Sequence, residues 1–166
     1  MSSPISVRQA EKGDSATILR LLRQLARFEG APDGVRLTEE AIRRDAFGER
    51  PRFEALLAEA DNHACGLLIF FLAYSSWSGA PTLMVHDLFV EADFRRSGAG
   101  RALLAAVARL SESRGCCRMD VNVLAWNESA RRFYAALGFV PLENWMPYRL
   151  ERDGVERLAG ATANIS

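Results

Sequence analysis

Residues 86–110 read HDLFVEADFRRSGAGRALLAAVARL. A run of branched and aromatic residues meets two arginines and two glycines, then becomes an Ala/Leu-rich pattern with helical spacing. This predicts a strand over residues 82–90, a turn, and a helix from about Gly98 to Arg114. Leu103, Leu104, Val107 and Leu110 would face a core, with Gly115 past the helix end. A helix N-terminus leaves backbone N–H groups unpaired, with the positive end of the helix dipole behind them. Gly98 and Gly100 would let an anion approach that backbone, and Arg95, Arg96 and Arg101 add positive charge. The junction is therefore a candidate phosphate cradle, against the plainer reading of a turn with solvated arginines. A Walker A loop would need a lysine that is absent, and a dinucleotide fingerprint a third glycine where Leu103 stands.

Outward from this junction the chain reads as one mixed α/β domain. Residues 5–9 suggest a first strand. Asp14 is placed to cap a helix carrying Ile18, Leu21, Leu22, Leu25 and Phe28, ended by Gly30. Thr38 caps a second helix, with Glu39 and Glu40 in its first turn and Gly48 as its stop. Residues 53–60 and 64–74 around Asp61-Asn62 predict a hairpin. Past the long helix come a strand over 118–125 and a short helix capped by Asn127 and ended by Gly138. FVPL (139–142) and WMPYRLER (145–152) suggest one or two final strands, with Pro147 favouring an edge or bulge. The expected architecture is a single, mostly antiparallel twisted sheet of about 6–7 strands flanked by about four helices. Its domain spans 5–158, between a disordered N-terminus (1–4) and a tail (159–166).

Composition narrows the function classes. Lys+Arg and Asp+Glu both number 21 in the 166 residues, so the formal net charge is zero. That argues against binding driven by neutralising nucleic-acid phosphates. Cys65, Cys116 and Cys117 lack zinc-site or disulfide spacing and read as reduced core or near-core thiols. The longest apolar run, LLIFFLAY (67–74), is too short to span a bilayer. A soluble cytoplasmic protein is expected, without metal, nucleic-acid or membrane partner.

Arg95-Arg96-Ser97-Gly98-Ala99-Gly100 has the form Arg/Gln-x-x-Gly-x-Gly/Ala, directly after an apolar strand and opening a helix. This resembles the acetyl-CoA pyrophosphate loop of the GCN5-related N-acetyltransferases. A second segment, NESARRFYAALGF (127–139), resembles that family's N-x-x-A/S-x-x-F/L-Y-x-x-x-G-F pattern, in which the tyrosine lies beside the CoA sulfur. VRQAEKGDSATILRLLRQLARFE, LTEEAIRRDAFGERPRF and YSSWSG extend the likeness to the diamine (spermidine/spermine) N-acetyltransferase branch and its thialysine-acetylating relatives.

The resemblance implies acetyl-CoA lying along Leu88, Phe89 and Val90. Its pyrophosphate would rest on Arg95, Arg96, Ser97, Gly98, Ala99, Gly100 and Arg101, and its pantetheine near Asn127, Glu128, Ser129, Ala130, Phe133 and Tyr134. Tyr134 would donate a proton to the departing thiolate. Glu29, Asp87 and Glu143 match acidic positions facing the acceptor's amino groups, with Phe28, Asp120, Val121, Asn122 and Trp145 beside them. In that branch a carboxylate usually precedes the aspartate; here His86 stands there. With an ordinary pKa near 6.5 it would be mostly neutral at cytosolic pH and able to take the amine's proton, or it is simply bonded within the sheet. The oxyanion would meet a backbone N–H where the strand is interrupted, expected near Leu88. The segment PLENW is also shorter than usual, bearing on acceptor length. The implied enzyme is a homodimer acetylating a small diamine-like amine. Alternatives are thialysine, another amino acid or an aminoglycoside as acceptor, or a non-catalytic acyl-CoA sensor.

Overall fold

The computed structural model describes residues 4–161. These fall into two compact units, divided between Asn122 and Val123.

The first unit is built on a five-stranded sheet in the order β1-β2-β3-β4-β5. β1 (Ser6–Gln9), β2 (Glu54–Ala60), β3 (His63–Ser75) and β4 (Ala80–Val90) pair antiparallel in sequence. β5 (Met119–Val121) joins β4 in parallel, and the crossover this requires is the long helix between them. The predicted hairpin turn is observed: Asp61 and Asn62 have φ of 47° and 62°, the left-handed pair that a two-residue β-turn between twisted strands needs.

Helices α1 (Ser15–Phe28) and α2 (Glu39–Phe47) lie before β2 in the chain. Ile18, Leu21, Leu25 and Ile42 pack with Ala55, Leu57, Leu67, Ile69 and Phe89 from one sheet face. Helix α3 (Ala99–Ser113) covers the other face, burying Leu103, Leu104 and Val107. A Cβ on Gly66 would meet Leu103 Cδ1 at 3.2 Å, a measure of how closely α3 is seated. Cover on both faces explains why Cys65–Phe70 reads as a continuous apolar run rather than an alternating one.

Several expectations need correction. Asp14 precedes α1, but its carboxylate accepts from the Glu11 N–H and pairs with Arg8 at 2.7 Å, leaving no side-chain cap on the helix. Phe28 and Leu110 are not core residues; Phe28 is exposed and Leu110 half-buried. β5 ends at Val121 rather than 125. Of the cysteines only Cys65 is buried, its thiol pKa pushed up by burial; Cys117 is exposed.

The second unit holds α4 (Glu128–Ala136) and α5 (Arg152–Gly160). The final strands expected over 139–142 and 145–152 are not formed. A strand persists only when a neighbour takes its backbone hydrogen bonds, and Pro141 and Pro147 withdraw two donors. Trp145 N–H instead closes a turn on the Leu142 carbonyl. Helix α5 was not foreseen; its buried Gly154 makes room for Leu150, whose Cδ1 would meet an added Cβ at 2.3 Å. It runs to Gly160, past the expected boundary at 158. The sheet therefore has five strands, not 6–7, and the chain five α-helices rather than four among the described residues. Residues 1–3, in the N-terminus expected to be disordered, and 162–166, in the expected tail, lie outside the described residues; Pro4 has no regular structure.

Candidate active site

The β4–β5 ladder runs from Leu83↔Met119 to Val85↔Val121 and stops. Beyond it, residues 87–90 pair with β3 and, among the described residues, have no strand partner on their other edge. On the β3 side the register shifts between Ile69↔Asp87 and Phe70↔Val85, leaving His86 as the extra residue of a β-bulge. The interruption expected near Leu88 is thus two residues earlier, since Leu88 pairs regularly with Leu68. Leu88 and Val90 are half-buried along this edge and Phe89 is buried in the core.

The bulge places an exposed His86 ring beside the mostly covered Asp87 carboxylate, Nδ1 to Oδ2 2.8 Å. That hydrogen bond raises the His86 pKa above its ordinary value, against a smaller opposing effect of burial. His86 therefore holds its proton more tightly than an ordinary imidazole, and with Nδ1 on Asp87 it is Nε2 that is left to exchange it. Glu29, at the C-cap of α1, has its pKa raised first by burial and then by the charge of Asp87. Two of the three expected acidic groups are therefore brought within electrostatic reach. The third, Glu143, is exposed in the second unit, as is Trp145. Asp120 pairs with Arg118 at 2.9 Å, Val121 is half-buried at the end of the ladder, and Asn122 is exposed beyond it.

After β4 the chain makes one 3-10 turn (Ala92–Phe94) and the loop into α3. Arg96 (φ 66°) and Gly98 (φ 92°) are both left-handed. Ser97 fixes the loop, its hydroxyl donating to the Phe94 carbonyl at 2.6 Å. The Ala99 N–H is 3.4 Å from that hydroxyl, and Ala102 N–H takes the Gly98 carbonyl. The N–H groups of Gly98, Gly100 and Arg101 have no acceptor among the described residues. A Cβ at Gly98 would meet nothing within 4 Å. Unpaired amides, open space and the exposed Arg96 and Arg101 fit a diphosphate. The exposed Arg95 has its Nε donating to the Val90 carbonyl, and its guanidinium lies 4.6 Å over the Phe28 ring and 5.9 Å from that of Phe89. It ties the loop to α1.

In the second unit, Asn127 caps α4 through Oδ1, which accepts from Ala130 N–H at 3.1 Å. Glu128 pairs with Arg132 on the exposed face, where Ser129 also lies. Tyr134 is buried, its ring edge-on to Phe133 and Phe139 at 5.4 and 5.3 Å.

A family model described as acetyltransferase (GNAT) matches residues 18–139. The chain belongs to this family. It is an acetyl-CoA-dependent N-acetyltransferase by that membership. It is 35% identical to a thialysine N-epsilon-acetyltransferase of Bos taurus, over 94% of this chain and 98% of the relative. It is 30% identical to a human spermidine/spermine N(1)-acetyltransferase-like protein over 89% of this chain, which is 22% of that longer protein. Among solved structures, an integron cassette protein from the mobile metagenome of V. cholerae superposes with TM-score 0.80 at 20% identity, covering 97% and 99% of the two chains. An aminoglycoside N-acetyltransferase in complex with CoA gives 0.71 at 24% identity, covering 90% and 97%. Among the described residues no helix is long and apolar enough to cross a membrane, and no His/Cys/Asp/Glu cluster could hold a metal.

Three residues near this site were not foreseen. Arg20, His63 and Glu91 come together from α1, β3 and the end of β4. Arg20 and Glu91 are 71 residues apart, and no local pattern links them.

Proposed function

We propose that this protein transfers the acetyl group of acetyl-CoA to a primary amine of a small molecule that carries a second cationic group. The class includes diamines, polyamines and amino acids with a side-chain amine. The observation that carries this reading is the Glu29–Asp87 pair beside the β4 bulge. Two carboxylates close enough for one to raise the other's pKa gain most from an ammonium ion set against them. The identity to relatives named for thialysine supports the amino-acid member of the class.

Acetyl-CoA, when bound, would supply the acetyl group as an activated thioester. The residues fitted to hold it are the amides of Gly98, Gly100 and Arg101, with Arg96 and Arg101 adding charge. An alkylammonium of pKa about 10.4 lies roughly three units from neutrality, so freeing the amine costs about 4 kcal/mol. Glu29 and Asp87 attract the cation but oppose its deprotonation, and a base beside them is needed. His86 takes this role through Nε2. An N–H on the free edge of β4, at or beyond the bulge, meets the oxyanion. Tyr134 protonates the thiolate, an assignment resting on the Asn127–Phe139 segment. The reading includes residues 5–158 as one catalytic domain of a cytosolic homodimer. The exposed Val140, Leu142, Trp145, Met146 and Tyr148 support the dimer, which sedimentation would test.

The deciding experiment is thiol release from acetyl-CoA across spermidine, short diamines, thialysine, ornithine, an aminoglycoside and simple monoamines. The expected result is a kcat/KM at least tenfold higher for acceptors with a second cation. CoA binding without release under any acceptor would replace the enzyme by an acyl-CoA sensor.

A further inference from the structure

The loop that enters α3 is nearly bare. Ala92, Asp93, Arg95, Arg96 and Gly98 are exposed, and two consecutive-but-one residues are left-handed. Little apolar burial is available to hold such a segment, and binding a ligand to a loosely held loop costs the entropy of ordering it. A polar cluster at its entrance supplies what burial does not.

Glu91 is the first residue after β4. Its carboxylate receives the Arg20 guanidinium from α1 and, at 2.6 Å, Nε2 of His63. Gln24, one turn further along α1, lies near enough to help keep it ionised. Arg20 is shared, its second terminal nitrogen donating to the Ala64 carbonyl at 2.7 Å. The Glu91 backbone is fastened as well, N–H to the Cys65 carbonyl at 2.9 Å and carbonyl to the Phe94 N–H at 3.0 Å. His63 then stacks on the Phe94 ring, centroids 5.5 Å apart at 28°. Phe94 presents its carbonyl to both the N–H and the hydroxyl of Ser97. An unbroken set of contacts thus runs from α1 to Ser97, which sits between Arg96 and Gly98.

We propose that Glu91 and His63, with Arg20, are positioning residues that hold Phe94–Gly98 in the conformation presenting the α3 amides to the diphosphate of coenzyme A. The proposal rests on the reading of this loop as the coenzyme site. Burial would push the Glu91 pKa up, but His63, Arg20 and Gln24 together outweigh it and keep the carboxylate ionised. Sign separates positioning from electrostatics. A bare carboxylate near an anion site repels the anion, so on charge alone Glu91→Gln should tighten coenzyme binding, whereas loss of positioning should weaken it.

The test compares wild type, Glu91→Gln and His63→Ala by amide hydrogen exchange of the free proteins, calorimetric binding of CoA, and steady-state kinetics. Exchange of the Ser97 and Ala102 amides is expected to quicken at least tenfold. The Kd for CoA should rise at least fivefold, with kcat at saturating acetyl-CoA within twofold of wild type. His63→Ala, at the exposed first residue of β3, keeps the test open where Glu91→Gln folds poorly. Unchanged exchange at Ser97 and Ala102, or CoA affinity equal to or tighter than wild type, overturns the proposal. Failure of wild type to bind CoA would end the reading of the loop as the coenzyme site, while the exchange rates still decide whether Glu91 and His63 hold it.

Discussion

Gly98→Ala isolates the backbone geometry on which the candidate cradle depends. Gly98 has φ 92° and ψ −2°, and a Cβ built there meets nothing within 4 Å. The cost of the methyl group is therefore conformational rather than steric. Holding a non-glycine residue in the left-handed region costs about 1–2 kcal/mol. For a chain of this size that lowers Tm by about 2–8 °C. Two controls separate this cause from others. Gly13 has neither a left-handed φ nor a neighbour within 4 Å. Gly13→Ala should therefore be neutral or stabilise by up to about 1 kcal/mol through the unfolded chain. Gly48 has an ordinary φ of −81°, but its Cβ would stand 2.3 Å from the Arg44 carbonyl oxygen, so Gly48→Ala destabilises by collision with backbone. Thermal and urea unfolding of the three variants read these effects directly. A Gly98 variant as stable as wild type, or a Gly13 variant that loses as much, would refute the reasoning.

Tyr134→Phe keeps the edge-on ring contacts with Phe133 and Phe139 and removes only the hydroxyl. Turnover should fall at least tenfold while the acetyl-CoA Kd is unchanged; wild-type turnover would take the phenol out of the mechanism. Valine at both Gly98 and Gly100 should abolish CoA binding in calorimetry, and retained affinity would refute the cradle. His86 acts as a base only when neutral, so kcat/KM for the amine should rise as pH passes through its pKa, above 6.5. Asp87→Asn removes the negative charge that makes this contact favour the protonated ring, and both the NMR titration of His86 and the acidic limb of the rate profile should move to lower pH. The His86 contribution to stability has the matching sign: it is present below the unfolded value and is lost as pH rises through the higher folded one. Glu29 carries a raised pKa, so binding of a cationic amine should strengthen as pH rises through it and should release a proton, measurable by calorimetry in buffers of different ionisation enthalpy.

Features written in short range were legible from the residues alone. Thr38 and Asn127 cap their helices because a side-chain oxygen reaches an N–H three residues on, a distance set by helix geometry and nothing else. Asp61-Asn62 makes its hairpin turn for the same local reason, and the glycines around α3 mark its ends. The phosphate-loop motif belongs to this class, since amides left open at a helix start are a property of one contiguous segment.

What needed partners distant in sequence was decided only by the fold. Residues 139–150 have strand-like composition and form no strand, because β structure depends on a neighbouring edge that composition does not specify. His86 became the bulged residue through the pairing of β3 with β4, and that register, two residues from the expected interruption, set its hydrogen bond to Asp87. Arg95 reads in the chain as one more charge beside the glycines; its guanidinium lies over the Phe28 ring, a contact that exists only because α1 comes alongside the loop. Arg20, His63 and Glu91 are ordinary charges in the chain; they become a cluster because α1, β3 and β4 converge, and sequence spacing carries no record of that convergence.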